Sequence, residues 1–182
     1  MMMLNAARFN TFLIMVFTLW FAAGCQTDPA SAQKKKESKE ASTLEIYVQI
    51  NPNSGGTEKF QHITLLRSAP MSLDVSTEPA VDSGNIEKAE VVEDFGAVAI
   101  KLTFNTHGQL MLDQVTAKNR GKRLAMFAKF DKEVRWLAAP VITKEIANGV
   151  LIFSPDASRE ETERIVRGLN NLIKKANKND SF

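Results

Sequence analysis

One apolar stripe near the C-terminus constrains this chain more than any other feature. Ile165, Val166, Leu169, Leu172, Ile173 and Ala176 recur at helical spacing, and Ser158 and Glu161 stand ahead of them at capping-box spacing. Acidic residues crowd the start of this segment and lysines its end, as the helix dipole favours. A helix with one such stripe must bury it against another layer. The remaining periodic segments supply that layer as strands. Leu44 to Ile50 alternates with a period of two. Phe60 to Leu66 and Met71 to Val75 read as strands separated by Pro70. Ala89 to Glu93 and Ala97 to Phe104 form a further pair, with Val98, Ile100, Leu102 and Phe104 on one face. Arg123 to Phe130 and Val134 to Ile142 bracket a turn at Asp131 and Lys132, and Val150 to Phe153 is the last strand.

Two helical segments interrupt the strands. Asp82, Ser83 and Gly84 precede a short turn expected over Asn85 to Ala89. Asn105 or Thr106 caps a helix running to about Asn119, with Leu112 and Val115 on its inner side, flanked by Gly108 and Asn119, and with Gly121 as its stop. The fold expected is α+β: a mainly antiparallel sheet with two amphipathic helices on one face, spanning residues 44–178, with residues 179–182 as a disordered tail.

The N-terminal segment is an address. Arg8 is the only charged side chain in the first 24 residues, and Phe12 to Ala23 is apolar apart from Thr18. A membrane span needs about 20 apolar residues, whereas the apolar region of a signal peptide needs about 7–15. The run ends in Ala22-Ala23-Gly24-Cys25, which resembles the lipobox of bacterial lipoproteins, although Ala22 stands where leucine is usual. That resemblance implies cleavage after residue 24 and a lipid on Cys25, so that the chain is held to a membrane. A plain secretory signal and an uncleaved anchor are the other readings of the same segment. Cys25 is the only cysteine, which excludes an intrachain disulfide and any zinc site built on cysteines. Residues 25–43 carry no large apolar side chain and include a Lys34-Lys35-Lys36 run diluted by Glu37 and Glu40, which predicts a solvated, mobile tether.

The balance of 23 Lys+Arg against 21 Asp+Glu argues against nucleic acid as the main partner, because phosphate binding needs a concentrated basic face. No cofactor or metal is expected either. His62 and His107 share no ligand spacing, and each reads as a surface or half-buried ring. Glu160, Glu161 and Glu163 read as first-turn acids rather than as a catalytic carboxylate pair. The Gly55-Gly56 pair lacks the spacing of a phosphate loop. No nucleophile elbow is present, so no catalytic residue is assigned and the chain reads as a non-enzyme. Lys118, Arg120, Lys122 and Arg123 form the densest folded basic cluster, read either as a headgroup or acidic-partner contact or as cations at a helix C-terminus. Trp136 reads as core or as a binding aromatic, and Met71, Met111 and Met126 as core fillers.

A series of short motifs carries a family resemblance. Asn119-Arg120-Gly121-Lys122-Arg123-Leu124-Ala125, the turn at Asp131-Lys132, Ala138-Ala139-Pro140-Val141-Ile142, Ile146-Ala147-Asn148-Gly149 and Ser158-Arg159-Glu160-Glu161 follow one another in order. Glu78 to Gly84 and Gly108 extend the pattern upstream. Over Leu73 to Leu172 the chain resembles the head subdomain of the first periplasmic domain of the SecD and SecDF protein-export membrane proteins. The resemblance implies an α+β head, a periplasmic setting and contact with a polypeptide or an envelope protein. It does not imply the export motor, because no apolar run long enough to span a membrane follows residue 25. The family's base subdomain is expected to be absent or reduced to Leu44 to Leu66. The function expected is a membrane-anchored lipoprotein that binds polypeptide or partner without catalysis; a structural lipoprotein with one fixed partner is the alternative.

Overall fold

The structure, a computed structural model, describes residues 40–53, 59–67 and 69–179. Nine strands and two helices follow in the order β1 (Ser42–Val48), β2 (Phe60–Leu65), β3 (Met71–Ser76), β4 (Val81–Asp82), β5 (Ile86–Asp94), β6 (Ala97–Phe104), α1 (Thr106–Lys118), β7 (Leu124–Phe130), β8 (Glu133–Ala138), β9 (Val150–Phe153) and α2 (Arg159–Asn179). Every strand pair is antiparallel. The class is α+β as the patterning predicts, but the strands divide among three sheets. These are ordered β4-β1-β7-β8, β2-β3 and β5-β6-β9.

Helix α2 joins two of them. It packs against β5 and β6 of one sheet and β1 and β7 of another. Its capping box forms in full: Glu161 N–H donates to Ser158 Oγ at 3.1 Å, and Ser158 N–H donates to Glu161 Oε2 at 2.7 Å. Ile165, Val166 and Leu169 are buried; Leu172 and Ile173 are half-buried and Ala176 is exposed. The stripe therefore fades where the helix runs past the sheets. Asn170 locks the helix to β5 by accepting from Ala89 N–H at 3.1 Å and donating to Ala89 O at 2.8 Å.

The main core lies in this layer and includes Leu44, Ile46, Ile100, Leu102, Leu112, Leu124, Met126, Leu137, Ile165 and Leu169. A second, smaller cluster sits under the β2–β3 hairpin. Tyr47, Ile63, Leu65, Leu73, Val75, Ala125 and Ala139 form it, with Phe127 and Trp136 packed alongside.

Several boundaries differ from those read in the sequence. Strand β5 starts at Ile86, so the expected helical turn over Asn85 to Ala89 contracts to a 3-10 turn at Ser83–Asn85, capped by Asp82. Ile86 and Ala89 are both buried, and the register with β6 shifts between Ile86 and Lys88, which lets one strand bury both. Strand β8 stops at Ala138, short of Ile142, because Pro140 has no N–H to donate to a ladder. The stretch from Leu44 is built into the four-stranded sheet. Strand β1 is paired on both sides, with β4 and with β7.

The expected tether also ends earlier than residue 43. Glu40 Oε2 accepts from Arg167 Nη2 at 3.0 Å, Asn171 Nδ2 donates to Glu40 O at 2.9 Å, and Ser42 is 2% exposed. These residues lack large apolar side chains, yet hydrogen bonds and the close approach of Gly168 hold them to α2. The signal segment, Cys25, the rest of the tether and the tail at residues 180–182 lie outside the described residues.

Candidate functional site

After β8 the chain runs as an irregular edge against the segment before β7. Leu124 N–H donates to Pro140 O at 3.0 Å, Ile142 N–H to Lys122 O at 2.8 Å, and Gly121 N–H to Ile142 O at 2.9 Å. Gly121 holds this geometry with φ +82°, a left-handed value that suits glycine. The chain then loops back to β9. Ile146 N–H donates to Thr116 Oγ1 at 2.9 Å, and Gln109 Nε2 donates to Ala147 O at 2.7 Å, so α1 holds the loop in place.

Between this edge and β9 lies a groove of about 690 Å³. Val141 and Ile152, 43% and 45% exposed, present apolar side chains there, with Ile146 half-buried between them in sequence. An ion pair between Arg120 and Glu145, 3.5 Å apart, stands at its rim. Strand β9 is the outer strand of its sheet. An outer strand carries a row of main-chain groups that no neighbouring strand satisfies.

The residues singled out in the sequence are dispersed over the molecule. Arg120 reaches the groove. Lys122 donates to Asn119 Oδ1 at 2.9 Å and Arg123 to Ala139 O at 2.7 Å, so both are structural ties in the chain's own fold. Lys118 is exposed on the last turn of α1. Trp136 belongs to the second cluster, edge-on to Tyr47 at 5.1 Å and tilted against Phe127 at 4.8 Å. Met126 is buried, and Met71 and Met111 are half-buried. His62 pairs with Asp74 at 2.9 Å across the β2–β3 hairpin, while His107 lies on α1. Among the described residues, no group of three or more His, Cys, Asp or Glu converges as a metal site would require.

Of the glutamates at the start of α2, Glu161 is tied into the fold by the capping box and by Arg135 and Arg67. Burial pushes the Glu161 carboxyl up, but the Ser158 N–H and the Arg135 and Arg67 guanidiniums outweigh it and hold the group below its usual 4.5. A carboxylate held ionised in this way is a poor proton donor near neutral pH. Tyr47 moves the other way, to about 12, because burial and the hydrogen bond to Glu45 both favour the neutral phenol. No residue of the groove has an activated nucleophile's setting. What the groove offers is main-chain hydrogen bonding beside apolar side chains. In the sequence Val141 and Ile146 stand only within the family motifs and Ile152 within the last strand, none of them marked as a groove residue. Only the pairing of distant segments makes β9 an edge.

The fold defines an α+β domain of antiparallel sheets closed by two helices. The family model of the SecDF P1 head subdomain matches residues 66–171, more than half of the chain, and the chain belongs to that family. A solved structure of SecDF, described as a membrane component that enhances protein export, matches with a TM-score of 0.53 at 22% identity, covering 79% of this chain and 69% of that one. A second, SecDF in a super-membrane-facing form, matches with a TM-score of 0.53 at 23% identity, covering 79% of this chain and 21% of that one. At these identities the likeness is one of fold. No curated protein matches the chain. Among the described residues no helix is long and apolar enough to cross a membrane.

Proposed function

We propose that this protein is an envelope lipoprotein, held to a membrane by a lipid on Cys25, whose SecDF-head domain faces the periplasm and holds polypeptide in connection with protein export, without catalysis. The observation that carries the reading is an open groove beside an unpaired sheet edge, in a domain of the SecDF P1 head family. Sheet edges of this kind are natural seats for extended chains. The near-balance of charge, +2 over the whole chain, makes the binding weakly dependent on salt. Titration of the full chain with a reduced, unfolded protein is expected to give a Kd in the micromolar range or weaker, about −8 kcal/mol or less favourable. Absence of binding at millimolar concentration would remove the reading. For the anchor, Cys25→Ser is expected to leave uncleaved precursor or to release the protein from membranes. An unmodified Cys25 in the mature protein, by mass spectrometry, would refute that part.

One observation favours a second reading, a structural role with one fixed partner. Phe95 stands fully exposed at the β5–β6 turn with φ +48°, where Asn or Gly would relieve the backbone. Recovery of a single stoichiometric envelope protein after cross-linking, and its loss on Phe95→Asn, would support that role.

A further inference from the structure

The hydrogen-bond pattern of the two segments bordering the groove identifies how a polypeptide would be held there. In an antiparallel ladder, residues alternate between those that bond the partner strand and those whose N–H and C=O point away from it. Phe104 N–H donates to Gly149 O at 2.9 Å, and the register pairs Leu102 with Leu151 and Ile100 with Phe153. Gly149, Leu151 and Phe153 therefore bond β6, while the main-chain groups of Val150 and Ile152 face the open side. Val150 N–H is satisfied by Asn148 Oδ1 at 3.1 Å. Among the described residues, Ile152 N–H and C=O have no such partner. Across the groove the same alternation holds. Leu124 N–H bonds Pro140 O and Ile142 N–H bonds Lys122 O, which turns the N–H and C=O of Val141, bridged to Arg123, away from β7.

Two edge residues with outward main-chain groups, Val141 and Ile152, thus border one groove. They are also its two exposed large apolar side chains. An unsatisfied amide and carbonyl flanked by apolar surface are matched by an extended backbone with apolar side chains at alternate positions, and by little else. Resting on the polypeptide-holding reading above, we infer that the groove takes its polypeptide by strand addition to β9. It selects extended, proline-free segments with alternating apolar residues, largely regardless of their remaining side chains. A helix spends its main-chain groups within itself and cannot offer them in this form. The Arg120–Glu145 pair at the rim carries one charge of each sign, so it imposes no net charge preference on the segment.

The test uses the full chain and a fluorescent octapeptide of alternating valine and threonine flanked by lysines, beside the same peptide N-methylated at every residue. Methylation removes each donor while leaving the side chains in place. It is expected to weaken binding at least tenfold, and the unmodified peptide is expected to slow hydrogen exchange at the Ile152 amide. Ile152→Pro, which removes one outward N–H from an edge strand, is expected to weaken the peptide by a similar factor. Ile152→Thr, which keeps the N–H but gives up apolar contact, is expected to weaken the peptide by less than Ile152→Pro does. Equal binding of the methylated peptide would overturn strand addition, even if Ile152→Pro proved unfoldable. If an unfolded protein bound while methylation had no effect, the polypeptide-holding function would stand and this mode would fall. If neither ligand bound, both would fall.

Discussion

The layer between the four-stranded and three-stranded sheets is closed by a 21-residue helix, whereas the layer under the β2–β3 hairpin is closed by two six-residue strands. In the first, Leu44, Ile100, Leu102, Leu112, Leu137 and Ile165 are all 0% exposed, and Asn170 fixes the helix to β5 at both an N–H and a carbonyl. In the second, only Val75 and Ala125 reach that burial, and Tyr47, Phe127 and Trp136 fill the space with rings set at angles to one another. The hairpin is tied down at its turn by Arg67. Its N–H donates to Asp156 Oδ2 at 2.6 Å and its Nη2 reaches Glu161 Oε2 at 3.3 Å, at the start of α2. A two-stranded hairpin is marginal in isolation. The small layer therefore draws its order from the large one, through the face of the four-stranded sheet and through the first turn of α2.

This comparison can be broken at either layer. Leu169, 1% exposed and central in the stripe of α2, gives the largest effect. Leu169→Ala is expected to cost about 2–5 kcal/mol in urea unfolding, with both layers lost together. A cost below about 1 kcal/mol would show that α2 is peripheral to the core. Next comes Gly168→Ala. In an open helix the change is worth about 1 kcal/mol of stability. Here a methyl would run into Ser42, so a loss of about 1–3 kcal/mol is expected instead. A gain in stability would show that β1 has room to move off the helix.

Leu73→Ala probes the small layer. It is expected to cost about 1–3 kcal/mol and to speed hydrogen exchange in β2 and β3 while β6 and β9 keep their protection. Uniform loss of protection would show that the two layers unfold as one. The smallest effect falls on the tie between them. Glu161→Gln is expected to cost about 0.5–1 kcal/mol at neutral pH. Because the folded carboxyl titrates below 4.5, its contribution is full above that value and drains away as pH falls through the folded pKa. The glutamine variant should lose less stability than the parent on acidification below pH 4.5. Parallel pH profiles would sink the argument.

Much of the main layer was legible in the residues because its elements are long and strictly periodic. The strand over Ala97 to Phe104, the last strand at Val150 to Phe153 and the capping box at Ser158 all stand where local pattern puts them. Helix α1 shows where pattern falls short. The apolar spacing favours Val115 as an inner residue, and it does pack half-buried against the main core, but the fully buried place beside Leu112 goes to Thr116. Its hydroxyl donates to Leu112 O at 2.7 Å and accepts from Ile146 N–H at 2.9 Å, a partner 30 residues away that no local window contains. Gly108, by contrast, was legible as an inward glycine. A side chain there would meet the Asn85 carbonyl at 2.8 Å. The candidate groove was least legible. Edge status depends on which strands go unpaired, and the division into three sheets is set by long-range register rather than by any single segment.

The ties that dock Glu40 to α2 also decide where mechanical load enters the domain. A pull on the chain preceding Ser42 meets the Arg167 and Asn171 bonds to Glu40 first. Behind them lies β1, registered with β7 at seven consecutive positions from Ser42 to Val48 and with β4 on its other side. Force arriving from that end thus falls on an interior strand with neighbours on both sides, not on a peripheral hairpin that would peel away one bond at a time. Only the β9 wall of the groove belongs to the other sheet, so a leash attached there loads the groove through its β7 wall alone.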